Sequence, residues 1–217
     1  MKIVLFGASG NIGQRIAKEA LRRGHEVAGV VRDPDNATPP DPRVRLVKGD
    51  ATDADSVARV VKGADAVVSA ISPRPNAKSN LPAPSLSDAA RGLIAGLAAA
   101  GVKRLIVVGG AGSLEVAPGK KLMDQPGFPP AYLGEAIEGR DALDVYRAEG
   151  GNVEWTFLSP AAEIGPGART GKFRLGGDNL VADASGKSYI TYEDYAVALV
   201  DEIEQPKHVR ERFTLAY

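Results

Sequence analysis

Three glycines near the start of the chain have the spacing of a phosphate-binding turn. The apolar run 2–6 ends at Gly7, then Gly10 and Gly13 follow at intervals of three, and apolar residues recur at helical spacing. This pattern predicts a strand, a tight turn and a helix whose first N–H groups and positive dipole end converge on one point. A pyrophosphate suits that point, because Gly7 frees the turn, Gly10 leaves room for a phosphate and Gly13 allows close helix packing. The predicted contacts are Gly7, Ala8, Ser9, Gly10, Asn11, Ile12 and Gly13.

The spacing of this turn is Gly-x-x-Gly-x-x-Gly rather than the commoner Gly-x-Gly-x-x-Gly, so the glycines alone also fit an ordinary strand-to-helix turn. The context favours a dinucleotide site. The turn follows a predicted strand, opens a helix that stops near Gly24, and is succeeded by a second predicted strand at 26–31. One βαβ unit is the setting that a dinucleotide-binding turn requires.

The end of the second strand bears on the choice between NADPH and NADH, because it faces the adenosine ribose in such sites. It reads Val31-Arg32-Asp33-Pro34, so both possible signals are present. The planar fork of Arg32 suits a 2′-phosphate, whereas Asp33 before a proline has a local use as a turn residue. We therefore predict NADPH. The alternatives are a solvated surface role for Arg32 and NADH binding through Asp33.

The other predicted cofactor contacts lie where strands end. After the predicted strand 43–47, the Asp50 carboxylate could accept from an adenine amino group or hold a turn, and the sequence leaves both open. Nearby, Thr52 and Asp55 resemble a capping box for the next helix. The full set at strand ends is Asp50, Ala51, Ser69, Ala70, Ile71, Gly109, Gly110, Ser159, Pro160 and Ala161.

Strands and helices alternate along the 217 residues without a break, which favours one domain, 1–217, over two. The fold class is α/β, a Rossmann-type doubly wound parallel sheet with helices on both faces. Residues 159–190 are predicted as a small C-terminal β/loop subregion on the substrate side. The Pro- and Gly-rich stretches 73–85 and 109–130 are predicted as loops, and either could act as a lid. The predicted strands are 2–6, 26–31, 43–47, 64–71, 104–110, 153–158 and 213–217, and the later helices are 87–100, 134–149 and one from 192.

Composition argues against several classes of function. The formal net charge is zero and neither sign forms blocks, which predicts no direct nucleic-acid or membrane partner. The chain has no cysteine, which excludes disulfides and thiolate chemistry, and no apolar run approaches the length that spans a bilayer. The two histidines, His25 and His208, lie far apart, which predicts no metal site. The expected location is cytoplasmic, and the choice between monomer and homodimer stays open.

Five motifs along the chain resemble those of the atypical short-chain dehydrogenase/reductases. They are residues 7–13 and the segments Val30-Val31-Arg32-Asp33-Pro34, Lys48-Gly49-Asp50, Leu158-Ser159-Pro160-Ala161 and Ile190-Thr191-Tyr192-Glu193-Asp194-Tyr195-Ala196. Within that family the chain looks most like the NADH-flavin reductases, which are similar to the biliverdin IXβ and flavin reductases and, more distantly, to the NmrA-like NAD(P)-binding proteins. The resemblance covers essentially the whole chain. It implies a dinucleotide across the strand ends, with the small C-terminal region over the nicotinamide.

One catalytic feature of ordinary short-chain dehydrogenases is absent from this sequence. Those enzymes pair a tyrosine with a lysine four residues later, which lowers the tyrosine pKa so that it can move a proton. None of the six tyrosines has a lysine at that position. Tyr132 and Ser113 are the remaining catalytic candidates. Alcohol oxidation and epimerisation are disfavoured, since both need the proton shuttle.

Reduction of a flavin or quinone does not need this shuttle, because a ring stacked on the nicotinamide can take a hydride directly and a proton can come from water. The first hypothesis is therefore an NAD(P)H-dependent oxidoreductase that passes a hydride to a flavin or quinone-like small molecule. The alternative is an NADP(H)-binding redox sensor of the NmrA-like type without catalytic activity. A sugar-nucleotide enzyme ranks third.

Overall fold

The computed structural model describes residues 1–74 and 83–217 of the chain. Within them, one eight-stranded sheet carries strands from both ends of the sequence. The strands in chain order are β1 (Lys2–Phe6), β2 (Glu26–Val31), β3 (Arg45–Lys48), β4 (Ala66–Ser69), β5 (Arg104–Val108), β6 (Glu115–Ala117), β7 (Lys120–Lys121), β8 (Glu154–Ser159), β9 (Glu163–Gly165), β10 (Arg174–Gly176), β11 (Tyr189–Thr191) and β12 (Glu211–Ala216). The large sheet has the order β3, β2, β1, β4, β5, β8, β12, β10, and every neighbouring pair is parallel except β12 with β10.

Five α-helices of the described residues cover both faces of this sheet. They are α1 (Asn11–Arg22), α2 (Ala54–Val61), α3 (Leu86–Ala100), α4 (Leu133–Glu149) and α5 (Tyr192–Glu204). Helix α1 packs against α5 on one face, and α3 packs against both α2 and α4 on the other. Two apolar cores result, with Ile16 and Tyr195 in the first and Leu93 and Tyr146 in the second. The predicted Rossmann-type doubly wound α/β fold is confirmed.

The chain reverses its direction across the sheet between β1 and β4. Strands β2 and β3 lie on one side of β1, and β4, β5, β8 and β12 lie on the other. All four residues of β4 are buried, as expected for a central strand that helices cover on both faces. Ligands of open α/β sheets bind at the carboxyl ends of the strands at such a reversal. The fold therefore brings the turn after β1 to the position where a ligand is expected.

The ends of α1 and α5 follow local signals in the sequence. Helix α1 ends at Arg22 and is followed by Gly24 with a φ of +82°, a conformation that favours glycine. Helix α5 begins after Thr191, whose hydroxyl accepts a hydrogen bond from the Asp194 N–H at 3.1 Å. Both ends agree with the sequence-based predictions, because caps depend on residues only a few positions apart.

The predicted cap of α2 is wrong. Asp53 caps this helix, and its Oδ1 accepts from the N–H groups of Asp55 at 3.0 Å and Ser56 at 3.3 Å. The Thr52 hydroxyl instead donates to Asp50 Oδ1 at 2.8 Å. Thr52 stands one residue before the cap position, so its side chain belongs to the preceding turn.

The segment 109–130 is more regular than predicted. It contains the antiparallel pair β6 and β7. The Glu115 N–H donates to the Asp178 carbonyl at 2.9 Å, and the Leu180 N–H donates to the Glu115 carbonyl at 2.8 Å. Backbone pairing with a distant segment orders this stretch, and local composition does not reveal such pairing. Of the predicted loop 73–85, residues 75–82 lie outside the described residues.

The C-terminal region divides between two sheets. Strands β9 and β11 form a separate two-stranded parallel sheet, while β10 joins the edge of the main sheet beside β12. The sequence analysis predicted a β/loop subregion at 159–190 and did not place β9 within it. The placement of 159–190 on the substrate side stays a prediction. In the described parts of the chain, no helix is both long and apolar enough to cross a membrane.

Candidate functional site

The turn between β1 and α1 uses its three glycines in different ways. Gly7 has a φ of +78°, and a Cβ there would lie 2.3 Å from the Ala70 carbonyl oxygen. A Cβ on Gly13 would lie 2.2 Å from the Gly7 carbonyl oxygen. Gly10 differs, because the nearest atom to a Cβ at this position would be the Gly7 oxygen at 3.4 Å, an ordinary contact. Packing therefore requires glycine at the first and third positions, and the second is open towards a ligand.

The start of α1 is left without a side-chain cap. Gly10 stands at the cap position and has no side chain to accept a hydrogen bond from the helix. The first turn that follows it has no acidic residue. By contrast Asp53, Ser85 and Thr191 cap α2, α3 and α5, and each of those helices has an acidic residue in its first turn. A helix start without its own acceptor keeps N–H groups and a positive dipole end for an anion.

The end of β4 lies directly beside this turn. The Ala70 N–H donates to the Phe6 carbonyl at 2.9 Å, which continues the β1–β4 pairing past the last strand residue. The close approach of Gly7 to Ala70, and to the Ile71 nitrogen, follows from this pairing. The structure thus brings the predicted contacts Ser69, Ala70 and Ile71 together with the glycine turn.

The ends of β5 and β8 form the next part of the crevice. The Gly109 N–H donates to the Leu158 carbonyl at 2.8 Å, and a Cβ on Gly109 would lie 2.1 Å from the Phe157 ring. Ser159 is fully buried, and its Oγ has no hydrogen-bond partner within the described residues. A buried hydroxyl without a partner costs free energy unless a further group satisfies it. Gly109 therefore lies beside the end of β8, where Ser159, Pro160 and Ala161 are all buried, and the contact of these residues with a cofactor stays a prediction.

The adenosine end of the expected site contains Arg32 and Asp33. The Asp33 carboxylate accepts from the Asn36 side chain at 2.8 Å, and this hydrogen bond lowers the pKa of Asp33 below its usual value. Asp33 thus has the local turn role that the sequence offered. Asp50 is similar, because its Oδ1 accepts from the Thr52 N–H at 2.9 Å. The turn role of Asp50 is confirmed, while its contact with adenine, and that of the buried Ala51, stay predictions.

The two catalytic candidates have different surroundings. Tyr132 precedes α4 and is 49 % exposed, and the guanidinium of Arg74 lies 4.9 Å from the centre of its ring. Ser113 is buried, and its hydroxyl accepts from Arg212 Nη1 at 2.9 Å. Ala136, four residues after Tyr132, is buried against Gly112, whose Cβ would lie 2.5 Å from the Ala136 Cβ. The position four residues after Tyr132, where a catalytic lysine would stand, is therefore packed against Gly112.

The sequence analysis missed Arg74 and Glu135. Arg74 Nε donates to Glu135 Oε2 at 2.6 Å, so the two residues and Tyr132 form one cluster between the end of β4 and the start of α4. The available signal was that Arg74 follows a strand whose end borders the ligand crevice. Its partner on α4 is distant in sequence, and only the fold brings it near.

The two histidines contact different glutamates. His25 Nε2 lies 2.8 Å from Glu204, and His208 Nδ1 lies 2.8 Å from Glu202. Among residues 1–74 and 83–217, no group of three or more histidine, aspartate or glutamate side chains is placed to hold a metal ion. The expectation that the chain carries no metal site stays a prediction.

Comparison with known proteins adds family information to this geometry. A family model described as NAD(P)H-binding matches residues 7–206. The matched range contains the glycine turn, the ends of β4, β5 and β8, and the Arg74–Tyr132 cluster.

Three solved structures are similar to the full length of this chain. One from Burkholderia pseudomallei, named as an exported protein, is 46% identical, has a TM-score of 0.87 and covers 100% of both chains. One from Bacteroides thetaiotaomicron, named as an epimerase, is 41% identical with a TM-score of 0.87, covering 100% of this chain and 96% of that one. One from Streptococcus pneumoniae, named as an NADH-flavin reductase, is 34% identical with a TM-score of 0.83, covering 100% and 99%. These names disagree about chemistry, so the site itself must discriminate among them.

Proposed function

The chain belongs to the NAD(P)H-binding family, and from this premise we propose that it is an NAD(P)H-dependent reductase of a flavin or quinone-like acceptor. One observation carries the proposal. The glycine turn after β1 is complete, but Tyr132, the tyrosine just before α4, has Ala136 and not lysine four residues later. Epimerases and alcohol dehydrogenases need a proton shuttle at that position, whereas direct hydride transfer does not. The name of the Streptococcus relative agrees with this choice.

The residues of the crevice fit a dinucleotide. The space over Gly10 and the uncapped start of α1 suit the pyrophosphate, because they offer N–H donors and no competing side chain. We propose the Ser159 hydroxyl, which is buried at the end of β8 without a partner among the described residues, as a hydrogen-bonding group at the other end of the crevice. Gly109, Gly110, Ser69 and Ala70 contribute backbone between the two ends.

The chemical demands on the protein are modest in this reaction. Bound NADPH supplies a hydride, and the acceptor takes that hydride together with one proton from water, so two electrons pass from nicotinamide to acceptor. The protein holds two rings in contact and limits the access of water to them. Tyr132 provides a half-exposed aromatic surface for the acceptor, and no proton transfer is assigned to it.

NADPH is the proposed cofactor, with NADH as the alternative. The Asp33 carboxylate is engaged by Asn36 and the backbone of its own turn, which leaves it poorly placed to accept from a ribose hydroxyl. Arg32 directly follows β2, where a guanidinium suits a 2′-phosphate. We propose the cytoplasm as the location of this reaction. Because the Burkholderia relative is named as an exported protein, cell fractionation is the test of this location.

The direct test follows NADPH oxidation by its absorbance, with and without FMN, riboflavin or menadione. Turnover that exceeds the protein-free rate with at least one acceptor supports the proposal. The matched control is Gly10→Val, which blocks the phosphate turn and must remove the turnover. Equal rates in wild type and control would refute enzymatic reduction.

A redox sensor is the second candidate. The β6–β7 segment after the β5 end is hydrogen-bonded to residues 178–180, so a ligand at Gly109 or Gly110 would bear on surface segments far along the chain. A sensor predicts tight NADPH binding without turnover, together with a different pattern of proteolysis or hydrogen exchange at 112–123 when NADPH and NADP⁺ are compared. Rapid turnover with no such difference would exclude it.

A further inference from the structure

Arg74 lies in the segment that leaves the carboxyl end of β4. It follows β4, the neighbour of β1 at the reversal of the sheet, and its N–H donates to the Ser72 hydroxyl at 3.2 Å. Its guanidinium stands over the ring of Tyr132, 4.9 Å from the ring centre. A cation and a half-exposed aromatic ring thus occupy one place beside the strand ends.

The ion pair that Arg74 makes is of the exchangeable kind. Arg74 pairs with Glu135 of α4, and the two side chains are 56% and 38% exposed. Exposed pairs of this type contribute little to stability because water and salt screen them. An incoming carboxylate or phosphate can therefore replace Glu135 at small cost, and the planar fork of arginine can bind it through two hydrogen bonds.

From this arrangement we infer that Arg74 and Tyr132 together select an acceptor that combines a planar ring system with an anionic group. The ring system stacks on Tyr132, and the anionic group takes the place of Glu135 on Arg74. The inference rests on the proposed reductase function. Among flavins it predicts preference for FMN, which carries a phosphate, over riboflavin, which has the same ring system without it.

The carboxylate of Glu135 provides a second test of the inference, with an effect opposite to that of removing Arg74. Glu135 competes with the substrate anion for Arg74, so its neutralisation frees the guanidinium. Removal of Arg74 and neutralisation of Glu135 should therefore change the use of FMN in opposite directions. A merely structural role for the pair predicts the same direction for both.

The experiment measures kcat and KM for FMN and riboflavin in wild type, Arg74→Ala, Arg74→Lys and Glu135→Gln. We expect Arg74→Ala to raise the KM for FMN by about tenfold or more, the size of a lost charge-assisted hydrogen bond, and to change that for riboflavin by less than about twofold. Arg74→Lys restores part of the FMN preference, and Glu135→Gln lowers the KM for FMN. The matched control is Arg91→Ala, since Arg91 makes a similar exposed pair through Nε with Glu149 at 3.1 Å, on α3 and α4. It should leave both acceptors unchanged.

Several results would overturn the inference. Equal losses for FMN and riboflavin in Arg74→Ala would mean that Arg74 only positions Tyr132. Weaker NADPH binding in the same variant, measured by calorimetry, would make Arg74 a cofactor contact instead.

Failure of the proposed function is a separate outcome. If wild type reduces neither flavin, the reductase proposal fails, and the same variants are compared by FMN fluorescence on the NADP⁺-loaded protein. FMN binding that depends on Arg74 would then still support the anion-selecting cluster, and FMN binding equal in wild type and Arg74→Ala would refute it.

Discussion

The starts of α1 and α5 both follow a short strand, and they differ in what occupies the helix end. At α5, Thr191 caps the helix and Asp194 is fully buried, accepting from the N–H groups of Thr170 and Gly171 at 2.8 Å each. At α1, Gly10 offers no side chain and the first turn has no acid. A helix end that the protein fills with its own acceptors fixes structure, and one that it leaves empty is available to an anionic ligand.

The largest expected effect comes from filling the open helix end. In Gly10→Val a branched side chain occupies the phosphate space, while the nearest backbone atom to its Cβ is the Gly7 oxygen at 3.4 Å, which folding tolerates. NADPH affinity should fall by at least about 100-fold, or about 2.8 kcal/mol, with little change in Tm. Calorimetric titration and thermal unfolding measure the two quantities.

Gly151→Val is the matched control for this variant, since nothing lies within 4 Å of a Cβ there. It should bind NADPH like wild type. Unchanged affinity in Gly10→Val would show that α1 does not receive the pyrophosphate, and the contrast between the two helix ends would lose its functional meaning.

The next effect concerns the closed helix end. Asp194→Ala leaves the N–H groups of Thr170 and Gly171 without their acceptor, so we expect a loss of about 2 to 5 kcal/mol in the free energy of unfolding. Denaturant unfolding measures this loss, with the exposed Asp144→Ala as a control that should stay within about 0.5 kcal/mol. NADPH affinity of the folded variant should be retained. A stable Asp194→Ala variant that no longer binds NADPH would reverse the comparison.

The same carboxylate gives a pH dependence of defined sign. Burial by itself raises the pKa of Asp194, but the hydrogen bonds from Thr170, Gly171 and Tyr217 outweigh it and lower the pKa. The stabilisation is therefore present above the pKa of the unfolded state, which is about 3.9 for an aspartate, and is lost as pH falls through the folded-state pKa. The stability difference between wild type and Asp194→Ala should shrink in acid. A difference that grows below that pH would contradict this account.

A smaller effect is expected at the adenosine end of the open site. If Arg32 contacts the 2′-phosphate, Arg32→Ala should weaken NADPH by about tenfold to a hundredfold and leave NADH nearly unchanged. Asp33→Ala tests the alternative, because removal of a ribose-binding carboxylate would weaken NADH and improve NADPH. Titrations of wild type and both variants at fixed ionic strength decide between them. A wild-type preference for NADH would contradict the choice of NADPH.

The smallest effect is expected at the phenol of Tyr132. Since no proton transfer is assigned to it, Tyr132→Phe should lower kcat by less than about tenfold, against about 100-fold or more for a lost general acid. Tyr132→Ala removes the stacking surface as well and should raise the KM of a flavin. A loss in kcat as large as that of a general acid in Tyr132→Phe, with binding intact, would mean that the hydroxyl takes part in the chemistry.

Features that depend on neighbours in sequence were predictable. The strand, turn and helix around the three glycines, the stop after α1 and the start of α5 at Tyr192 all appear where the sequence placed them. The cap of α2 was assigned one residue early, since Thr52 and Asp53 are both good capping residues and only their orientation distinguishes them. The predicted start of β3 and both predicted ends of β4 were wrong by two residues, because the ends of a strand depend on how far the neighbouring strand pairs with it.

The sequence by itself determined the βαβ unit, the need for glycine at the turn and the absence of a tyrosine–lysine pair, because each is a property of residue types at short spacing. Only the tertiary structure decided that β10 joins the main sheet, that the Ser159 hydroxyl is buried without a partner among the described residues, and that Arg74 meets Tyr132 and Glu135. These features depend on which distant strands and helices lie side by side. Pairings of this kind are selected by the packing of the whole core, and residue types at short spacing do not encode them.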